Sequence, residues 1–179
     1  MDAINELEAV TSLLDLEEFE VVEATQDRGK KLRRFTVVPR LAVGLCPHCQ
    51  GTTDERHACH DRVVRDLPMG GWETELVVRL WQFRCETCDR FFTPHFTALA
   101  EGAHATERLL ERLAELAGQG DVSTAARFFG IPEKTTEEWY YDYVERKRRD
   151  SQSRPQLQPV RSLGMDELSL KKDTGSSAV

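Results

Sequence analysis

Four of the five cysteines fall into two CxxC pairs, Cys46-Pro47-His48-Cys49 and Cys85-Glu86-Thr87-Cys88, and this pattern limits the fold more than any other feature. A CxxC turn sets two sulfurs on one side of a tetrahedral ion, and a second turn closes the other side. In a reducing compartment such pairs favour metal over disulfides. Neighbouring thiolates repel without a cation between them, so metal binding and local folding are expected to be coupled. The 35 residues between the pairs exceed the roughly 15 to 20 of the common double-CxxC spacing. A hairpin in the intervening strands accounts for the excess. Cys46, Cys49, Cys85 and Cys88 are therefore expected to hold one structural Zn²⁺ in a zinc ribbon. Four thiolates leave no open position for a catalytic water. His57, Cys59 and His60 form a second cluster; it lacks a fourth ligand unless His48 or His95 supplies one, and it reads more simply as a surface loop with an extra thiol.

Charge is unevenly distributed. The net charge is −7, yet residues 1–27 hold nine acids and no Lys or Arg, which leaves the remainder at +2. Two basic clusters stand out, one of Arg28, Lys30, Lys31, Arg33, Arg34 and Arg40, the other of Arg146, Lys147, Arg148, Arg149 and Arg154. Such clusters can neutralise phosphates and release counterions, or simply form a solvated face. No apolar run approaches the roughly 18 residues of a membrane span. The acidic N-terminus lacks the layout of a secretory signal, so the chain is expected to be cytoplasmic.

Hydrophobic spacing predicts a helix over 3–16, a strand at Phe19–Val22, a turn at Asp27–Gly29 and a returning strand through Phe35–Val38. A short strand is expected at 61–66, a turn at Met69–Gly71, and a long strand from Trp72 to Arg84 that runs into the second CxxC. From about Thr106 the period becomes helical. Leu109, Leu110, Leu113, Leu116 and Ala117 form a stripe stopped by Gly118 and Gly120; a second helix starts at a Ser123 cap and closes at Gly130; a third runs to about Arg149. Residues 122–149 thus fit a helix-turn-helix, whose second helix would enter the major groove. Lys134, Thr135 and Thr136 would then face bases, and Arg146, Lys147, Arg148 and Arg149 would grip phosphates. Glu133, Glu137, Glu138 and Asp142 weaken the electrostatics of insertion. Residues 151–159 read as a linker, and 163–170 as one more strand.

The order of features resembles a known family. A CPxC knuckle, an RDLP segment (Arg65 to Pro68), a long strand, a second CxxC with Phe-Phe-Thr after it, a helix-turn-helix and LGMDELSLKK at 163–172 are together similar to the N-terminal part of the ISL-three family of insertion-sequence transposases. The resemblance covers most of residues 10–172. It implies a zinc ribbon and helix-turn-helix joined to a catalytic domain of ribonuclease-H type. It also implies that Asp166 is the first of three acids that clamp two Mg²⁺ ions, with the second Asp and the final Glu in a domain extending past residue 179. On this reading the chain alone is not expected to cleave or join DNA, and Mg²⁺ would matter only in a complete catalytic domain.

The expected fold is α+β: a zinc-ribbon unit with an N-terminal helix and hairpins (1–103), a helix-turn-helix unit (104–150), and a linker with the truncated first strand of a ribonuclease-H-like domain (151–179). The expected function is recognition of the terminal inverted repeats of an insertion sequence, with double-stranded DNA as partner. The alternatives are a non-catalytic DNA-binding regulator (a transposition repressor or transcription factor) and a zinc-ribbon protein-interaction module. The sequence leaves the oligomeric state open, a homodimer included.

Overall fold

The computed structural model describes residues 3–153, with side chains from Glu6 to Gln152. The strand expected at 163–170, Asp166 and Arg154 lie outside the described residues. Within them the fold is mixed α+β. Helix α1 (Ala3–Leu14) is followed by strands β1 (Phe19–Asp27) and β2 (Leu32–Pro39), then by the short β3 (Gly44–Leu45) and β4 (Thr52–Thr53) around the first CxxC. Strands β5 (Arg56–Met69) and β6 (Trp72–Arg84) form a long hairpin, and β7 (Phe91–Phe92) follows the second CxxC. Helices α2 (Glu107–Gln119), α3 (Val122–Phe129) and α4 (Glu133–Ser153) complete the described chain.

The main sheet has the order β1-β2-β6-β5, with β7 added to the far end of β6. Strands β1 and β2 pair antiparallel, as do β5 and β6. Strand β2 lies parallel to β6, Leu32 beside Glu73 through Val37 beside Val78, so the first hairpin is part of the same sheet as the second. Antiparallel neighbours need only a tight turn, whereas a parallel pair needs a crossover; here the crossover carries the first CxxC knuckle. Strand β6 follows the alternation its sequence suggests. Thr74, Leu76, Val78 and Leu80 point inward, and the inward position then shifts to Phe83 as the strand passes from the main core into the ribbon.

Three apolar clusters result. Leu14, Phe19, Val37, Val64, Leu76 and Val78 lie between α1 and the sheet. Ala105, Leu109, Leu110, Leu113, Phe129 and Ile131 fill the space between the helices and the loop before them, with Trp139, Tyr140 and Tyr143 packed against it. The third is small: Phe83 and Phe92, stacked with centroids 5.9 Å apart, beside Cys46 and Cys85.

Several local expectations are corrected. The strand expected at 61–66 spans Arg56–Met69, because pairing with β6 holds its polar first half, which shows no apolar alternation. The cap of α3 is Asp121, not Ser123: the Asp121 carboxylate accepts from the Thr124 N–H at 2.7 Å. Helix α2 runs through Gly118 and ends at Gly120. Helix α4 continues to Ser153, where Ser151 donates back to the Lys147 carbonyl.

Candidate metal centre and nucleic-acid interface

The two knuckles are built alike. In the first, the Cys46 N–H donates to the Gly51 carbonyl and the Gln50 N–H to the Cys46 carbonyl, each at 2.9 Å; in the second, Cys85 to Arg90 and Asp89 to Cys85 repeat the same bonds at 2.9 Å. Gln50 and Asp89 each stand four residues after the first cysteine, and both adopt positive φ (61° and 56°). That left-handed step turns the chain back after each CxxC, and asparagine, aspartate and glycine tolerate it best.

The four sulfurs converge. Cys46 and Cys88 Sγ are 3.7 Å apart, Cys49 and Cys85 Sγ 3.4 Å, and all four lie within 4.8 Å of one another. A regular tetrahedron around zinc, with Zn–S about 2.3 Å, sets sulfurs roughly 3.8 Å apart. The donor set and its spacing fit a structural zinc. Cys46 and Cys85 are buried, Cys88 half-buried and Cys49 exposed, so the ion would sit at the surface with the Phe83–Phe92 stack beneath it. Without a cation the thiols divide unequally. The Cys88 N–H holds the Cys85 thiol down to about 6, and burial pushes Cys88 up to about 12. Burial opposes ionisation of Cys46, but the Cys49 and His48 N–H groups carry it below its ordinary value. The Gly51 N–H favours the Cys49 thiolate, yet Cys85 beside it and burial leave that thiol above its ordinary value. A central dication would favour all four thiolates. Among the described residues these four are the group that converges in this way. His57, Cys59 and His60 are exposed along β5, with the His57 ring against Phe91 at 4.4 Å.

The sequence motif RDLP sits at the opposite end of the β5–β6 hairpin, where sheet meets helices. The Arg108 guanidinium, from the first turn of α2, donates from Nε to Asp66 Oδ1 at 2.8 Å and from Nη2 to Oδ2. Thr106, the cap of α2, donates its hydroxyl to Asp66 at 2.7 Å and accepts the Leu109 N–H. Arg108 also donates to the Leu14 carbonyl at 2.7 Å, so one buried carboxylate joins α1, β5 and α2. Asp66 raises the Arg108 pKa further above its ordinary value. Arg65 donates to the Gly130 carbonyl at 2.7 Å and to Glu73 at 2.6 Å, which ties the sheet to the turn between α3 and α4. Gly130 caps α3 at φ 64°, and a Cβ there would stand 2.9 Å from the Glu73 carboxylate; both the backbone and the contact call for glycine. In the sequence, RDLP is informative only through the family resemblance. An Asp-Leu-Pro run inside a strand gives no local sign of a partner 42 residues away.

The residues expected to meet DNA are placed unequally. Lys134 is exposed and Thr135 half-buried on the first turn of α4. Thr136 is withdrawn from that role: it is fully buried, with its hydroxyl donating to the Pro132 carbonyl at 3.1 Å. The 3.6-residue period turns it toward the helical core. Arg146 pairs with Glu107 at 2.9 Å and Lys147 with the same carboxylate at 3.6 Å. Arg148 and Arg149 both pair with Glu145, at 3.0 and 3.2 Å. In the other cluster Arg34 pairs with Glu75 at 2.7 Å, and the Arg33 guanidinium lies over Trp72, 5.3 Å from the ring centroid. Lys30 and Lys31 are exposed in the β1–β2 turn.

Fold and cysteine geometry define a zinc-ribbon protein. Residues 42–88 match the family described as the zinc-finger of transposase IS204/IS1001/IS1096/IS1165. A curated relative, the transposase for insertion sequence element IS1001 of Bordetella parapertussis, is 30% identical over 156 residues, covering 86% of this chain and 36% of the relative. The chain therefore resembles part of an ISL-three family transposase, and it spans about a third of the length of that relative. No solved structure gives a significant match. No helix among the described residues is long and apolar enough to cross a membrane.

Proposed function

We propose that this chain is the DNA-recognition part of an insertion-sequence transposase, binding the terminal inverted repeats of its element as duplex DNA. The observation that carries the reading is the joining of a transposase-type zinc ribbon to two helices, α3 and α4, linked by a three-residue turn. Helix α3 packs against α2 and α4, and α4 presents Lys134 and Thr135 on its first turn in the manner of a recognition helix. The zinc would be structural, holding the two knuckles in register so that β3, β4 and β7 keep their places at the end of the sheet. Asp166, outside the described residues, would be the first acid of a two-metal site in a complete catalytic domain. Such a protein would act in the cytoplasm, where the element's DNA lies.

The test is a binding titration of the purified, zinc-loaded chain with duplexes carrying the element's ends, with scrambled duplexes and with no DNA. Preferential binding of the ends, by the roughly 10³-fold or more that separates specific from non-specific binding in typical regulators, supports the proposal. Equal and weak binding to every duplex counts against end recognition. A second reading, a ribbon that docks on a partner chain, is favoured by the exposed apolar strip Leu41, Val43 and Leu45 beside Trp81 and Phe96. Capture of a partner without any duplex binding would select it. A DNA-binding repressor or transcription factor would bind a duplex outside the element's ends.

A further inference from the structure

We infer that sheet and helices meet duplex DNA as one face, in which the β1–β2 turn supplies the phosphate contacts beside the start of α4 and RDLP sets the distance between them. This rests on the DNA-binding reading above and names the part of the surface that carries it.

Helix α4 holds six carboxylates and five cations, so it cannot draw a polyanion by itself. Its exposed first turns carry Glu133, Glu137 and Glu138 around Lys134. Its four C-terminal cations share two carboxylates, Glu107 and Glu145. A phosphate approaching them must displace a carboxylate that is already in place. Cations with no carboxylate to displace stand on another element.

The β1–β2 turn supplies them. Arg28, Lys30 and Lys31 are exposed, and among the described residues none has a carboxylate within ion-pair distance. The one acid in the turn, Asp27, is occupied: its Oδ1 accepts the backbone N–H of Gly29 at 2.9 Å and of Lys30 at 3.1 Å. The carboxylate thus shapes the turn and leaves the lysines pointing to solvent. Arg33, on the adjoining strand, keeps its guanidinium over Trp72 without a carboxylate partner among the described residues.

Short bonds connect this turn to α4. The Glu73 N–H donates to the Lys31 carbonyl at 2.9 Å. The Glu73 side chain accepts from Arg65 at 2.6 Å, and Arg65 donates to Gly130 at 2.7 Å. Gly130 stands three residues before α4 begins. Four residues, Lys31, Glu73, Arg65 and Gly130, thus span from the basic turn to the recognition helix. Next door, the Asp66–Arg108 pair fixes the angle of α2 to the sheet. These bonds join the turn and the helix start, separated by about a hundred positions in sequence, through one junction. A duplex whose major groove receives the first turns of α4 would run its flanking backbone past Arg28, Lys30 and Lys31.

The experiment compares the zinc-loaded, unsubstituted 179-residue parent with R28Q/K30Q/K31Q and R146Q/K147Q/R148Q/R149Q on one end-containing duplex, with affinity followed across salt concentration. Each variant is first checked for unchanged zinc content and circular dichroism. The slope of log K against log salt falls by about 0.9 for each phosphate that the protein ceases to neutralise. The triple variant should flatten it by about 2 to 3, and the quadruple variant by less than 1. Arg65→Gln should weaken end binding several-fold while keeping the salt slope, because it removes positioning and leaves the phosphate-binding cations in place. A parent that binds with the triple variant unchanged, or with the quadruple variant flattened more, overturns the shared face and leaves the DNA-binding reading standing. A parent that binds no duplex overturns that reading itself.

Discussion

The two ends of the β5–β6 hairpin are held by different physics. At the ribbon end, Phe83 and Phe92 are the large apolar side chains of a cluster whose other buried members are Cys46 and Cys85. A core that small cannot offset the entropy of ordering two knuckles, and small domains of this kind rely on a metal or disulfides. At the turn end there are two larger apolar clusters, one between α1 and the sheet and one among the three later helices, and a buried carboxylate, Asp66, bonds across to α2. The metal end substitutes coordination for area. The helical end has area enough, and uses its ion pair to choose one packing angle among several.

Removing zinc should separate the two ends most sharply. A chelator, or Cys85→Ser, should abolish the zinc signal and hydrogen-exchange protection over residues 42–92, while the helical circular dichroism persists. Cys59→Ser should keep one zinc per chain. Equal zinc loss in both variants, or one cooperative collapse of the whole chain on chelation, would break the distinction. Acid should have the same effect as a chelator. Zinc binding requires the thiolates, so lowering pH returns protons to the cysteines and releases the ion.

Asp66→Ala addresses the other end. Breaking a buried, hydrogen-bonded pair typically costs about 3 to 5 kcal/mol, here by leaving Arg108 and Thr106 without their shared acceptor. Urea denaturation should show that loss in the helices, with zinc content unchanged. A cost under about 1 kcal/mol would mean that apolar packing alone sets the angle.

Thr74→Val is expected to act in the opposite sense. Thr74 is buried on β6 at the turn end, opposite Asp66, and its hydroxyl has no hydrogen-bond partner among the described residues. An isosteric methyl removes an unsatisfied polar group worth about 1 kcal/mol, so the melting temperature should rise by a few degrees. A fall would show that the hydroxyl has a partner such as a bound water.

The smallest effect is expected at the cap of α3. The Thr124 N–H holds the Asp121 carboxyl below its ordinary value of 3.8. The ionised cap therefore stabilises the helix above that pH, and its contribution fades as pH falls through the lowered folded-state value. Asp121→Ala should lower the melting temperature slightly at pH 7 and have progressively less effect below pH 3.8. A difference independent of pH would mean that the charge plays no part.

Much of this is legible in the residues. CxxC spacing announces a tetrahedral site because a two-residue gap is a local geometric constraint. Strand β6 is readable from Trp72 to Arg84 because a buried face leaves an alternation of apolar side chains, and the stripe of α2 is readable for the equivalent helical reason. The second half of β1 and the first half of β5 are not, since neither buries a regular face and both are held by neighbouring strands. Ser123 and Asp121 are both residue types that cap helices, and where the chain bends into α3 decides for Asp121.

What the sequence by itself determined, then, is whatever depends on near neighbours: the thiolate set, the hairpin between its halves, the helical stripes and the surplus of basic residues at 28–34. Tertiary structure alone decided the parallel pairing of β2 with β6, the partner of Asp66, the inward turn of Thr136, and which basic cluster keeps its charge free. The first two depend on residues about 40 positions apart meeting in space. A cation's chemistry is written in its own side chain, but whether a carboxylate already neutralises it is settled by how the chain folds back.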